Sequence, residues 1–309
     1  ISSVDSNCSA YIFKWNHLSD AKVLSELLKN NIKVRFTSKD ITTKNLEHTF
    51  KKGSLIVTRG DNKSLENFDT DVVNIANKHH KLTISVSSGF SKKGPDFGSS
   101  SLNLINNKKV AVLSGEGTSS LSYGAVWHFF EKQLNYPITP INTLHFSKIE
   151  LDDYDVLIMP SGNYNSILNE SGQKKLKSWV SKGGKVIAIN RALNSFADKE
   201  GFDLKRKKAK ESKSEEIIPY ANKRREYAKN MITGAIFNTT VDNTHPLAYG
   251  YGNNYFSLKL SNTNFELLKK GNNIAYIKDN TTPVSGFAGN NTKENLQNSL
   301  VFGEERMGR

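Results

Sequence analysis

Residues 11–15, 32–36, 54–58, 82–86, 109–113, 155–159 and 185–189 are short runs rich in β-branched, aliphatic and aromatic side chains. Stretches of helical periodicity separate many of them, and this alternation constrains the chain more than any other feature. A short apolar strand with no polar face must be covered on both sides. Between the first two runs, Val23, Leu24, Leu27 and Leu28 recur at helical spacing, and Asn30-Asn31 supplies a stop. Further helices are predicted over 69–78, 123–134 and 173–181, the last with Leu176, Trp179 and Val180 inward. Strand–helix–strand units imply right-handed crossovers. The expected class is α/β, with mostly parallel sheets flanked by helices.

The last third reads differently. Residues 237–243, 255–260, 273–278 and 300–302 look like strands joined by Gly- and Asn-rich turns. A length of 309 residues fits about two domains. The expected boundary falls after a polar stretch, giving 1–105 as an N-terminal α/β subdomain and 106–309 as a second domain. Within the latter, residues 199–229 carry eleven Lys/Arg against six Asp/Glu and read as an exposed, partly flexible basic insertion.

Hydrophobic residues make up 37% of the chain, which is enough for a core and excludes wholesale disorder. The formal charge of +13 favours anionic partners. Cys8 is the single cysteine, so an intrachain disulfide and a cysteine-based zinc site are excluded. No apolar run approaches the roughly 20 residues that span a bilayer. The opening Ile1-Ser2-Ser3-Val4-Asp5 lacks the features of a signal peptide. With no initiator Met and an end just past a strand and turn, the sequence reads as a piece of a longer chain.

Chemistry in a parallel sheet sits beyond the carboxyl ends of strands. Two such ends stand out, Pro160-Ser161-Gly162 and Ile189-Asn190-Arg191-Ala192. A strand turning sharply into a helix can hold a nucleophile on a strained elbow. Neither Asn190 nor Arg191 is a competent nucleophile. Other constellations have simpler readings. His79-His80 ends a helix, where the C-terminal dipole favours a cation. His128 and Glu131 share the spacing of a zinc pair but fall inside a predicted helix. Residues 114–120 offer a glycine turn without the phosphate-loop pattern, and 152–155 lead a solvated acidic loop into a strand.

Taken together, residues 109–115, 123–129, 155–162 and 183–190 and His245-Pro246-Leu247 resemble a class I glutamine amidotransferase-like domain. More narrowly, the chain is similar to the C-terminal region of large exported bacterial zinc carboxypeptidases, a likeness that takes in residues 10–89 and Gly98-Ser99. The resemblance implies an amidotransferase-like, flavodoxin-like second domain after a smaller α/β subdomain. Position by position, the catalytic cysteine of that family falls on Asn190. Its histidine falls by order on His245, which lacks the family's Glu two places on. Without thiolate and base, acyl transfer has no nucleophile and no proton shuttle.

The expectation is therefore a non-catalytic accessory module that supports a zinc metallocarboxypeptidase domain or binds a ligand. No catalytic residue, metal ligand or cofactor is assigned to the fragment; zinc belongs to the upstream peptidase domain, which is the expected partner. An acidic surface or a glycan is a second partner class. Nucleic acid is disfavoured, because no reader motif accompanies the basic insertion. Export to the periplasm, cell surface or medium follows from the resemblance alone. The alternative is an enzyme or a carbohydrate or small-molecule binder. It would use a strand-end pocket of Glu116, Ser161, Asn163, Asn190, Arg191 and His245.

Overall fold

The computed structural model describes residues 2–44, 48–208, 217–279 and 281–308. The chain divides into two units, Ile1–Ala192 and Leu193–Arg309.

The first unit opens with β1 (Ala10–Phe13), α1 (Leu18–Lys29), β2 (Val34–Thr37), β3 (Ile41–Thr43) and β4 (Thr49–Phe50). It continues with β5 (Leu55–Thr58), α2 (Phe68–Lys78), β6 (Thr83–Val86), β7 (Ser91–Lys93) and β8 (Leu102–Ile105). The main sheet has the order β6-β1-β5-β2-β8, and every neighbouring pair in it is antiparallel. β1 and β2 run the same way with β5 between them, and β5 and β6 do so with β1 between them. This is the split βαβ arrangement.

Strand β1 shows how composition sets the layers. Tyr11 and Phe13 face one side, packing with Val23 and Leu27 of α1 and Phe68, Val72 and Ala76 of α2. Ala10 and Ile12 face the other, against Ile41 and Phe50 of the small β4-β3-β7 sheet. Burying a side chain such as Leu27 contributes about 2 kcal/mol.

Next come β9 (Val110–Ser114), α3 (Ser120–His128), β10 (Ile138–Asn142), β11 (Val156–Met159), α4 (Glu170–Ser181) and β12 (Lys185–Ala188). Their order is β10-β9-β11-β12, all parallel. Tyr123, Val126 and Phe130 cover Val110, Val112 and Ile158 on one face. The alternate residues Ala111, Leu113, Leu157 and Met159 are buried on the other. A hydrogen bond from Lys29 Nζ to Asn135 Oδ1 (3.0 Å) ties α1 to the turn that follows α3.

The second unit contains α5 (Tyr220–Lys229), β13 (Ile232–Val241), β14 (Asn254–Lys259), β15 (Asn272–Ile277), β16 (Ser285–Ala288), α6 (Asn290–Leu296) and β17 (Ser299–Glu304). Its sheet runs β14-β13-β15-β17, with β16 also on β13, and all its pairs are antiparallel. Phe237, Ile277 and Leu296 are the centre of its core.

The expected class of mostly parallel sheets flanked by helices is therefore overturned. Among the described residues, parallel pairing is confined to one four-stranded sheet, and the other three sheets are antiparallel. Doubly buried strands suggest parallel pairing because helices commonly cover both faces of such strands. Here a second, smaller sheet covers one face of the first sheet. The β-α-β alternation also fits a crossover that skips a strand. Among the described residues, no helix is long and apolar enough to cross a membrane. The basic insertion's residues 209–216 lie outside the described residues.

Candidate functional site

Strand order makes one place special. From β9 the chain crosses to β10 on one side, whereas β11 lies on the other and leads on to β12. Ligands in parallel sheets bind at such a switch point, beyond the carboxyl ends of the strands. The loops here are residues 115–119 after β9 and 160–164 after β11.

These loops are hydrogen-bonded to each other. Ser119 N donates to the Ser161 carbonyl at 2.9 Å, and Asn163 N donates to the Gly117 carbonyl at 2.8 Å. Thr118 and Gly162 form an isolated antiparallel bridge. Ser161 N donates to Ser122 Oγ at 2.9 Å, and Thr143 Oγ1 donates to the Glu116 carbonyl at 2.9 Å. Glycine makes this approach sterically feasible. A Cβ on Gly162 would lie 2.4 Å from the Gly117 carbonyl oxygen. Gly117 itself has φ +82°, and a Cβ there would lie 2.3 Å from the Asn163 oxygen. Below the loops, Tyr164 is fully buried and its hydroxyl donates to the Pro160 carbonyl at 2.8 Å. Burial pushes its phenol above the ordinary range. Ser119, the N-cap of α3, spends its own amide on the neighbouring loop.

The elbow after β12 is present as backbone geometry. Ile189 N donates to the Met159 carbonyl at 3.0 Å, fixing the strand end. Asn190 then takes φ +52° as a six-residue 3-10 turn begins. Asn is among the few non-glycine residues that visit this region readily. Its amide is not one of the side-chain groups that form covalent catalytic intermediates. Asn190 and Arg191 are both exposed.

Of the six residues expected to form one pocket, Glu116, Ser161 and Asn163 meet in the paired loops. Glu116 and Ser161 contribute backbone groups, and Asn163 Oδ1 accepts from Asn165 N at 3.2 Å. Asn190 and Arg191 follow the next strand over. His245 belongs to the second unit. There its Nδ1 accepts from Leu247 N at 3.3 Å, and its Nε2 lies 3.2 Å from Glu304 Oε2. Glu304 also accepts from Asn272 Nδ2 (2.7 Å) and Arg306 Nε (2.8 Å). Burial would raise its carboxyl pKa, but Arg306, Asn272 and His245 together hold it below the ordinary value.

Sequence reasoning missed Glu304 as the partner of His245. The two are 59 residues apart, so no local motif links them. It also missed a cluster in the first unit. Arg59 grips Asp69 through two nitrogens, at 3.0 and 2.6 Å. Tyr11 donates to the same carboxylate at 3.0 Å, and Arg59 Nε donates to the Cys8 carbonyl at 2.9 Å. The Cys8 thiol is buried here, and desolvation pushes its pKa up despite Tyr11 and Arg59. Such a thiol is a poor nucleophile. His79 pairs with Glu26, whereas His128 and Glu131 are both exposed. Among the described residues, no group of three or more His, Cys, Asp and Glu converges as a metal site.

No family model matches the chain, and no curated protein or solved structure matches it either.

Proposed function

We propose that this chain is a non-catalytic accessory module of an exported zinc metallocarboxypeptidase-like protein. Its parallel sheet would carry an amidotransferase-type elbow that has lost its reaction. The observation that carries the reading is Asn190. It has the left-handed backbone of a nucleophile elbow at the end of β12, with an amide where acyl transfer needs a thiolate.

Two further features support it. The loops at the switch point spend backbone groups on each other, Ser119 with Ser161 and Asn163 with Gly117. The histidine that falls by order at the base position is held by Glu304 and a backbone amide. The module's role is then to support the peptidase domain of the same chain.

The test uses the full-length parent with and without these 309 residues. Deletion is expected to lower the yield and thermal stability of the peptidase and leave its zinc chemistry intact. A peptidase with unchanged yield, stability and kcat/KM after deletion would overturn the accessory role.

A further inference from the structure

The helix α5 (Tyr220–Lys229) stands in the basic insertion, and none of its side chains is buried. Its carboxyl end is anchored. Asn291 Nδ2 donates to Asn230 Oδ1 at 3.1 Å, and Asn262 Nδ2 donates to the Asn230 carbonyl at 3.0 Å. Glu226, Ala228 and Lys229 are half-buried, and Lys229 pairs with Glu226.

The opposite side has another composition. Tyr220, Lys223, Arg224 and Tyr227 recur at the i, i+3, i+4, i+7 spacing that places residues on one helix face. All four are exposed, Tyr220 at 89% and Tyr227 at 68%. Arg225 projects from the other side of the helix, between Ala228 and Lys229. Among the described residues, no side-chain ion pair or hydrogen bond engages Lys223 or Arg224, the two cations of the stripe. Ile217, 95% exposed, and Ile218 precede the helix. Tyr220, Lys223, Arg224 and Tyr227 therefore share one exposed helix face, with two exposed isoleucines just before it in the chain.

We propose that this surface is a peripheral docking site for an anionic lipid bilayer. Unpaired cations are attracted to anionic headgroups. Ile217, Ile218 and the two tyrosines supply the apolar and amphipathic groups that settle at the headgroup boundary. Isoleucine has no flat π face to stack on bases, which sets the site apart from a single-stranded nucleic-acid platform. The site lies wholly in the second unit and is independent of the elbow at Asn190.

The test is co-sedimentation of the 309-residue chain with vesicles of phosphatidylcholine mixed with phosphatidylglycerol. Pure phosphatidylcholine vesicles are the control, and both are run at low and high salt. Binding is expected to the mixed vesicles only and to weaken with salt. K223Q/R224Q is expected to lose on the order of 30-fold in partitioning. I217S/Y220S should lose about tenfold while keeping the salt dependence. All four side chains are exposed, so unchanged thermal unfolding checks that each variant folds. Equal partitioning of K223Q/R224Q and the unmodified chain would overturn the proposal. So would no binding to mixed vesicles, or tighter binding of a single-stranded oligonucleotide through the same two cations.

Discussion

Ser119 donates its backbone N–H to the Ser161 carbonyl at 2.9 Å, and this one bond joins the turns that follow two neighbouring parallel strands. The place where such a sheet would receive a ligand is thereby used for internal pairing. Substituting Gly162 with Ala would push a methyl group to within 2.4 Å of the Gly117 oxygen. G162A is expected to lose about 1–3 kcal/mol of stability, read as a lower urea midpoint with an unchanged m-value. An unaltered midpoint would mean that the loops are not held together.

The Arg59–Asp69 pair ties the segment before β1 to the end of β5 and the start of α2. Removing Asp69 leaves the Arg59 guanidinium and the Tyr11 hydroxyl without their shared acceptor. D69A is expected to cost about 1–3 kcal/mol, and Cys8 should then react faster with a thiol-exchange reagent. In the unmodified chain the thiol should react slowly until denaturant is added. Rapid native-state labelling of Cys8 would show that the cluster is open.

Stability should fall in acid through carboxylates that include Glu26, Asp61 and Asp155. Burial would raise the Glu26 pKa, but the hydrogen bonds from Lys78 and His79 outweigh it and the net shift is downward. Asp61 is lowered chiefly by its hydrogen bond from Arg35, and Asp155 by the backbone N–H of Lys109 and then by Lys108. Groups lowered in the folded state contribute fully above their unfolded values, about 3.9 for Asp and 4.3 for Glu. That contribution is lost as pH falls through the lower folded values. Denaturation curves should therefore be flat near neutrality with respect to these groups and drop below about pH 4. E26Q and D61N should each remove part of the drop; an acid limb unchanged in both would contradict the assignment.

Glu304 is expected to matter for stability rather than for a reaction. It accepts from His245, Asn272 and Arg306. E304A is expected to lose about 1–3 kcal/mol, measured by thermal unfolding. Full stability in E304A would free His245 from the structural role given to it.

Much of the secondary structure was legible because burial wrote it into the sequence. Val23, Leu24, Leu27 and Leu28 announce α1, and 155–159 announce β11, through periodicity alone. Neighbour and direction were not legible. Tyr11 and Ile12 are apolar because both faces of β1 are covered, and that fact is silent on whether helices or a second sheet cover them. Short strands such as Ser91–Lys93 were missed because they are polar and largely exposed. At the site, the elbow could be placed from the strand 185–189 and the small residue Ala192. Pairings such as His245 with Glu304 or Arg59 with Asp69 depend on topology, so no spacing in the sequence reveals them.

The most direct measurement is ammonia release from glutamine by the purified chain, before and after alkylation of Cys8 under unfolding and refolding. A chain whose elbow carries only an amide should release none above buffer in either state. Saturable release that survives alkylation and disappears in Asn190→Ala would show a working reaction at that turn.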